Sequence, residues 1–113
     1  MVQVFFTDEG GCLRVDANGH ANLKNTEGVD VYCAAVTTLT NTLAVNAIRA
    51  FEAGELEEEP TVYTGSEGEG RARVVIKPRA EYYSTLSLMF RAVLMGYQML
   101  AAFHGDAVEY VEG

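Results

Sequence analysis

At 113 residues the chain has the length of one small domain, and its 49% hydrophobic and 21% charged residues are a globular rather than a disordered composition. The formal net charge of -8 argues against direct binding to nucleic acid, whose phosphates it would repel, and suits a basic protein or peptide partner. The two cysteines, Cys12 and Cys33, match neither a metal-ligand spacing nor a disulfide framework, so no metal and no other cofactor is expected. Met1 leads straight into an alternating strand instead of a secretory leader, and no apolar run reads as long enough to cross a membrane. The expectation is a cytoplasmic protein with reduced thiols.

Val2 to Thr7 reads as a strand, Asp8-Glu9-Gly10-Gly11 as a turn, and Cys12 to Ala17 as a second strand with Leu13, Val15 and Ala17 on one face. This hairpin ends at Asn18-Gly19. The segment from His20 to Val29 shows no period and is predicted to be a mobile loop. From Asp30 to about Ala53 the spacing of Val36, Leu39, Leu43, Ala47 and Phe51 predicts a helix, with Asp30 as N-cap and Gly54 as its stop. The glutamates between Glu52 and Glu59 read as a solvated helix end and loop.

Pro60 to Thr64 and Arg71 to Lys77 form a second hairpin around the Gly-rich turn 65–70, with Ala72, Val74 and Ile76 alternating against Arg71, Arg73 and Val75. That turn lacks the Lys-Ser/Thr pair of a phosphate loop. Glu81 to His104 is a second helix, with Leu86, Phe90, Val93, Tyr97 and Leu100 on one stripe and Gly105 at its end. Ala107 to Val111 is short and β-like and is expected to close the sheet. The order β-β-α-β-β-α-β over residues 1–113 predicts a single α+β domain: a two-layer sandwich of one mostly antiparallel sheet with two helices.

The chemistry concentrates where the first hairpin gives way to the first helix. A thiol at Cys33 would lie in the first helical turn, where unpaired N–H groups and the positive end of the dipole stabilise a thiolate. His20 stands at the other end of the intervening loop as a base, Ala34 and Ala35 leave room beside the sulfur, and neighbouring N–H groups could hold an oxyanion. Asp30 and Ala34 are the candidates for contact with substrate; Asp30 could also orient His20, although the N-cap role suits it better. By spacing alone, a cysteine like Cys33 is most often a small buried hydrophobe and a histidine like His20 most often a turn residue. Cys12 reads as structural, and His104 as a group near the last helical carbonyls.

Gly19-His20-Ala21, followed by Gly28-Val29-Asp30-Val31-Tyr32-Cys33-Ala34-Ala35-Val36-Thr37, resembles the signature of the bacterial ribosomal-processing cysteine proteases, the Prp family. Val45-Asn46-Ala47-Ile48 is also similar, and length and element order match over essentially the whole chain. Two departures stand out: Tyr32 where a small apolar residue is usual, and Thr37 where Ser is common. The resemblance implies that Cys33 is the nucleophile and His20 the general base and acid. It also implies a homodimer, and as substrate the N-terminal extension of a bacterial large-subunit ribosomal protein, cut after a pair of aromatic residues. A dimer is expected independently, because Leu86, Met89, Phe90, Val93, Leu94, Tyr97, Met99 and Leu100 cannot all face one sheet. A non-catalytic ribosome-assembly binding module, or another cysteine-dependent acyl hydrolase such as a thioesterase, would fit the same residues.

Overall fold

Val2, Val4 and Phe6 are buried while Gln3 and Phe5 face outward, the period-two burial of a strand with one covered face. The same alternation continues through the neighbouring strands. The computed structural model describes residues 1–19, 31–64 and 70–113. Strands β1 (Val2–Glu9), β2 (Cys12–Gly19), β3 (Thr61–Tyr63), β4 (Arg71–Ile76) and β5 (Val108–Glu112) form one sheet in the order β3-β4-β2-β1-β5. Every neighbouring pair is antiparallel except β1 with β5. The last strand therefore extends one edge of the sheet and does not close it.

Helices α1 (Val31–Glu52) and α2 (Tyr83–Phe103) pack on the face carrying Val2, Val4, Phe6, Leu13, Val15, Val74 and Ile76, forming one core. A short 3-10 turn at Ala80–Tyr82 leads into α2. This is the expected two-layer α+β sandwich. On α1 the buried positions are Val36, Thr40, Leu43, Ala44, Ala47 and Ala50. Phe51, expected on that stripe, is exposed, because Ala50 takes the sheet-facing position in the last turn. On α2 the buried line is Leu86, Phe90, Leu94 and Tyr97, so Leu94 belongs to the core and Val93 and Leu100 to its margin. The last helical residue before the β5 turn is capped by His104, whose N–H donates to the Leu100 carbonyl at 2.8 Å; the cap expected at Gly105 lies one residue earlier.

The start of α1 is rich in β-branched residues that disfavour a helix. The threonines bond to carbonyls one turn back, Thr38 to Ala34 (3.0 Å) and Thr42 to Thr38 (2.8 Å), and Asn46 does the same to Thr42 (2.8 Å) further along. By length and mean hydropathy both helices are apolar enough to cross a membrane, which corrects the expectation that no run is. Each lays an apolar stripe on the sheet, but only 28% and 22% of the two apolar windows is buried.

Thr40 is the one polar residue buried among the described residues. Its hydroxyl donates to the Val36 carbonyl at 2.8 Å and so accepts from the Tyr97 hydroxyl at 2.7 Å. Thr40→Val would leave the Tyr97 hydroxyl buried without its acceptor. It is expected to lower stability by about 1–3 kcal/mol in urea titrations, whereas Tyr97→Phe, which leaves the Thr40 proton bonded, costs less. Burial pushes the Tyr97 phenol up to about 12. An unfolded phenol ionises near pH 10, so the native state retains a proton the unfolded state loses. The corresponding stability is complete below about pH 10 and is lost as pH rises toward the folded value, at about 1.4 kcal/mol per pH unit. Urea midpoints are expected to fall above about pH 10, and less steeply in Tyr97→Phe.

Candidate active site

Several chain ends converge at one end of the sheet. Gly19, the last residue of β2, pairs with Val2 and donates its N–H to the Gly70 carbonyl at 2.7 Å. The Val2 N–H donates to Ala107 at 2.8 Å, which ties the start of β1 to the turn before β5. The first turn of α1 is held at the same end: the Tyr32 hydroxyl and His104 Nδ1 share a hydrogen bond of 3.1 Å, and their rings lie 4.7 Å apart. Through this cluster the segment that leads into His20 and the segment that carries Cys33 reach one edge of the sandwich.

Cys33 is the third residue of α1 and is half-buried. Among the described residues no acidic side chain stands in the first turn of α1; Asp30 directly precedes it in the sequence. Ala34 is exposed and Ala35 half-buried, so the surface beside the sulfur is small and open. A position in the first turn of a helix is one that favours a thiolate. His20, Asp30 and the loop 21–29 lie outside the described residues, as does the Gly-rich turn 65–69. Cys12 is a half-buried thiol at the far end of β2, away from this edge. Among the described residues no group of three or more His, Cys, Asp and Glu could hold a metal ion.

Among the described residues, concavities lie on both layers of the sandwich. A groove of about 550 Å³ between α1 and α2 is lined chiefly by Ala35, Leu39, Gly96, Met99, Leu100 and Phe103. Ala35 lies about 200° around the helix from Cys33, so this groove opens on the other side of α1 from the thiol. The second, of about 370 Å³, lies on the helix-free face of the sheet between Phe5, Asp16, Asn18, Tyr63, Arg71 and Arg73. There Asp16 accepts from Arg14 and Arg73, both at 2.6 Å. Burial opposes ionisation of Asp16, but the two guanidinium groups outweigh it and hold the carboxyl below its usual range. This cluster and the Tyr32–His104 pair escaped the sequence reading.

The description of the cysteine protease Prp matches residues 1–109. The chain belongs to the Prp family. Prp proteins are cysteine proteases, and this chain is one of them. No curated protein matches it. Among solved structures, the Staphylococcus aureus ribosomal processing protease Prp with a covalently linked product peptide superposes with a TM-score of 0.66 at 18% identity, over 100% of both chains. The same S. aureus protease with a substrate peptide gives 0.62 at 14% identity, again over 100% of both chains. A Streptococcus mutans protein gives 0.59 at 26% identity, over 100% of this chain and 99% of its own. The likeness in fold thus extends through both helices and the whole sheet of this Prp member.

Proposed function

We propose that the chain is an endopeptidase that removes the N-terminal extension of a bacterial large-subunit ribosomal protein, with Cys33 as nucleophile and His20 as general base and acid. The observation that carries this reading is the Prp family match together with the place of Cys33 in the first turn of α1. That the S. aureus relatives are ribosomal processing proteases, solved with substrate and product peptides, supports the choice of substrate. In this mechanism His20 takes the Cys33 proton and the thiolate attacks the scissile carbonyl. N–H groups at the start of α1 stabilise the oxyanion, and the imidazolium returns its proton to the departing amine. Water activated by the same imidazole then releases the acyl group from sulfur. In this reading Asp30 and Ala34 are the residues that contact the peptide, with Asp30 also suited by sequence to the N-cap position. The reaction takes place in the cytoplasm, where thiols stay reduced.

The deciding experiment is incubation of the purified protein with the ribosomal protein precursor of its own organism, read by intact mass. Loss of one N-terminal segment is expected. A precursor left whole under conditions where Cys33 alkylates readily would overturn the substrate assignment.

The protein is further proposed to act as a homodimer through the outer face of the helical layer. Leu88, Met95, Met99 and Phe103 recur on α2 at helical spacing with exposures of 71%, 60%, 59% and 76%, and Val45 and Ile48 stand exposed on α1. Symmetric pairing would bury this surface. Sedimentation at low micromolar concentration is expected to give twice the 12.3 kDa chain mass, and Met95→Lys combined with Phe103→Lys to give the monomer. A monomer for the parent protein rules the dimer out.

A further inference from the structure

The residue before the nucleophile is a tyrosine, and its partner is 72 positions away. Helix N-termini fray because their first N–H groups have no partner within the helix. In the first turn of α1, Val31 is exposed and Tyr32 is the residue packed against the core. Tyr32 reaches His104, with the hydroxyl 3.1 Å from Nδ1 and the rings 4.7 Å apart at 52°. His104 is itself fixed from both sides. Its N–H donates to Leu100 in the last turn of α2, and its carbonyl accepts the N–H groups of Ala107 and Val108, each at 2.9 Å. Tyr32 is therefore joined to a rigid corner between α2 and β5, and the corner is in turn bonded to the start of β1.

We propose that the Tyr32–His104 pair is a positioning tether that fixes the first turn of α1 and so holds the Cys33 thiolate in the field of the helix N-terminus. The proposal rests on Cys33 being the reactive thiol, as in the function above. Neither Tyr32 nor His104 takes part in bond making. They act through the backbone: residue 32 sets the orientation of the peptide unit from which Cys33 projects. With the tether cut, the turn frays, the thiolate leaves the aligned N–H groups, and its stabilisation declines.

The test measures alkylation of Cys33 by iodoacetamide as a function of pH, with Cys12 in the same molecule as reference. In Tyr32→Phe and in His104→Leu, Cys33 labelling near neutral pH is expected to slow about three- to tenfold, the range a part-buried hydrogen bond supports. Its pH midpoint should rise and Cys12 labelling should not change. The double variant should be no slower than the worse single one, because both remove the same bond. His104→Asn, whose side-chain oxygen can stand in for Nδ1, should recover most of the rate. Peptide turnover should show a lower kcat at unchanged KM. An unchanged Cys33 midpoint in Tyr32→Phe overturns the proposal, as does a lower melting temperature with an unchanged midpoint, which would make the pair merely structural. Should His104→Leu fail to fold, Tyr32→Phe decides alone. Because alkylation needs no peptide, a parent that labels normally yet cuts nothing refutes the proposed substrate and leaves the tether to be judged by its own midpoint.

Discussion

Cys33→Ala is expected to reduce peptide turnover by about 10⁴-fold or more while leaving the fold and peptide affinity largely intact. The two effects separate because the sulfur has different importance in each. Cys33 is half-buried in the first helical turn, away from the fully buried core line, so losing its sulfur costs little packing. Covalent catalysis, by contrast, loses the atom that forms the acyl-enzyme, and neither the helix N-terminus nor the imidazole can replace it. Urea unfolding within about 1 kcal/mol of the parent and near-complete loss of cleavage are the expected pair of readings. His20→Ala should bring a loss of similar size, and the double variant should be little worse than either, since base and nucleophile work as one unit. Cleavage retained by purified Cys33→Ala would remove Cys33 from the mechanism.

The sheet was legible because local rules coincide with the tertiary structure. Leu13, Val15 and Ala17, and Ala72, Val74 and Ile76, alternate in sequence and are the inward residues of β2 and β4. What periodicity does not carry is the partner of a strand. The tail β5 could have completed the sheet in several ways; it joins β1 in parallel because α2 returns the chain to that edge. The helices were legible as helices, but the sheet-facing line was less so. On α2, Val93 and Leu94 are both apolar, and only the angle at which the helix crosses the strands puts Leu94 inside.

The site was legible to the extent that it is local. Cys33 at a helix start follows from a contiguous stretch of sequence, and the structure puts it there. The contacts that surround it are not local. Tyr32 meets His104 across 72 residues, and Arg73 meets Asp16 across 57, and neither separation leaves a trace in composition or period. One signal was available: a tyrosine where the family usually carries a small apolar residue requires a partner for its hydroxyl if it packs inward. The acidic net charge also hid a local exception, since Arg14, Arg71 and Arg73 gather on the open face of the sheet.

Gly19→Ala is expected to lower stability by about 2–4 kcal/mol and to reduce turnover beyond what the stability loss explains. Gly19 has φ of 99°, a conformation that residues with a side chain rarely adopt. A Cβ built there would also overlap the backbone carbonyl oxygen of Met1, which cannot move aside as a side chain end could, because the adjoining Val2 N–H is bonded to Ala107. Relief requires β1 and β2 to part at the end where Gly19 also holds Gly70. His20, the proposed base, follows directly in the sequence, so a shift of Gly19 is expected to lower turnover as well as stability. Gly10 provides the control: its φ of 59° is also positive, but a Cβ there meets nothing within 4 Å. Gly10→Ala should therefore cost only the left-handed backbone term, about 1–2 kcal/mol, with cleavage unchanged. Urea midpoints and kcat for the two variants, measured side by side, decide the matter. Equal losses would mean that Gly19 supplies conformational freedom alone and has no part in placing His20.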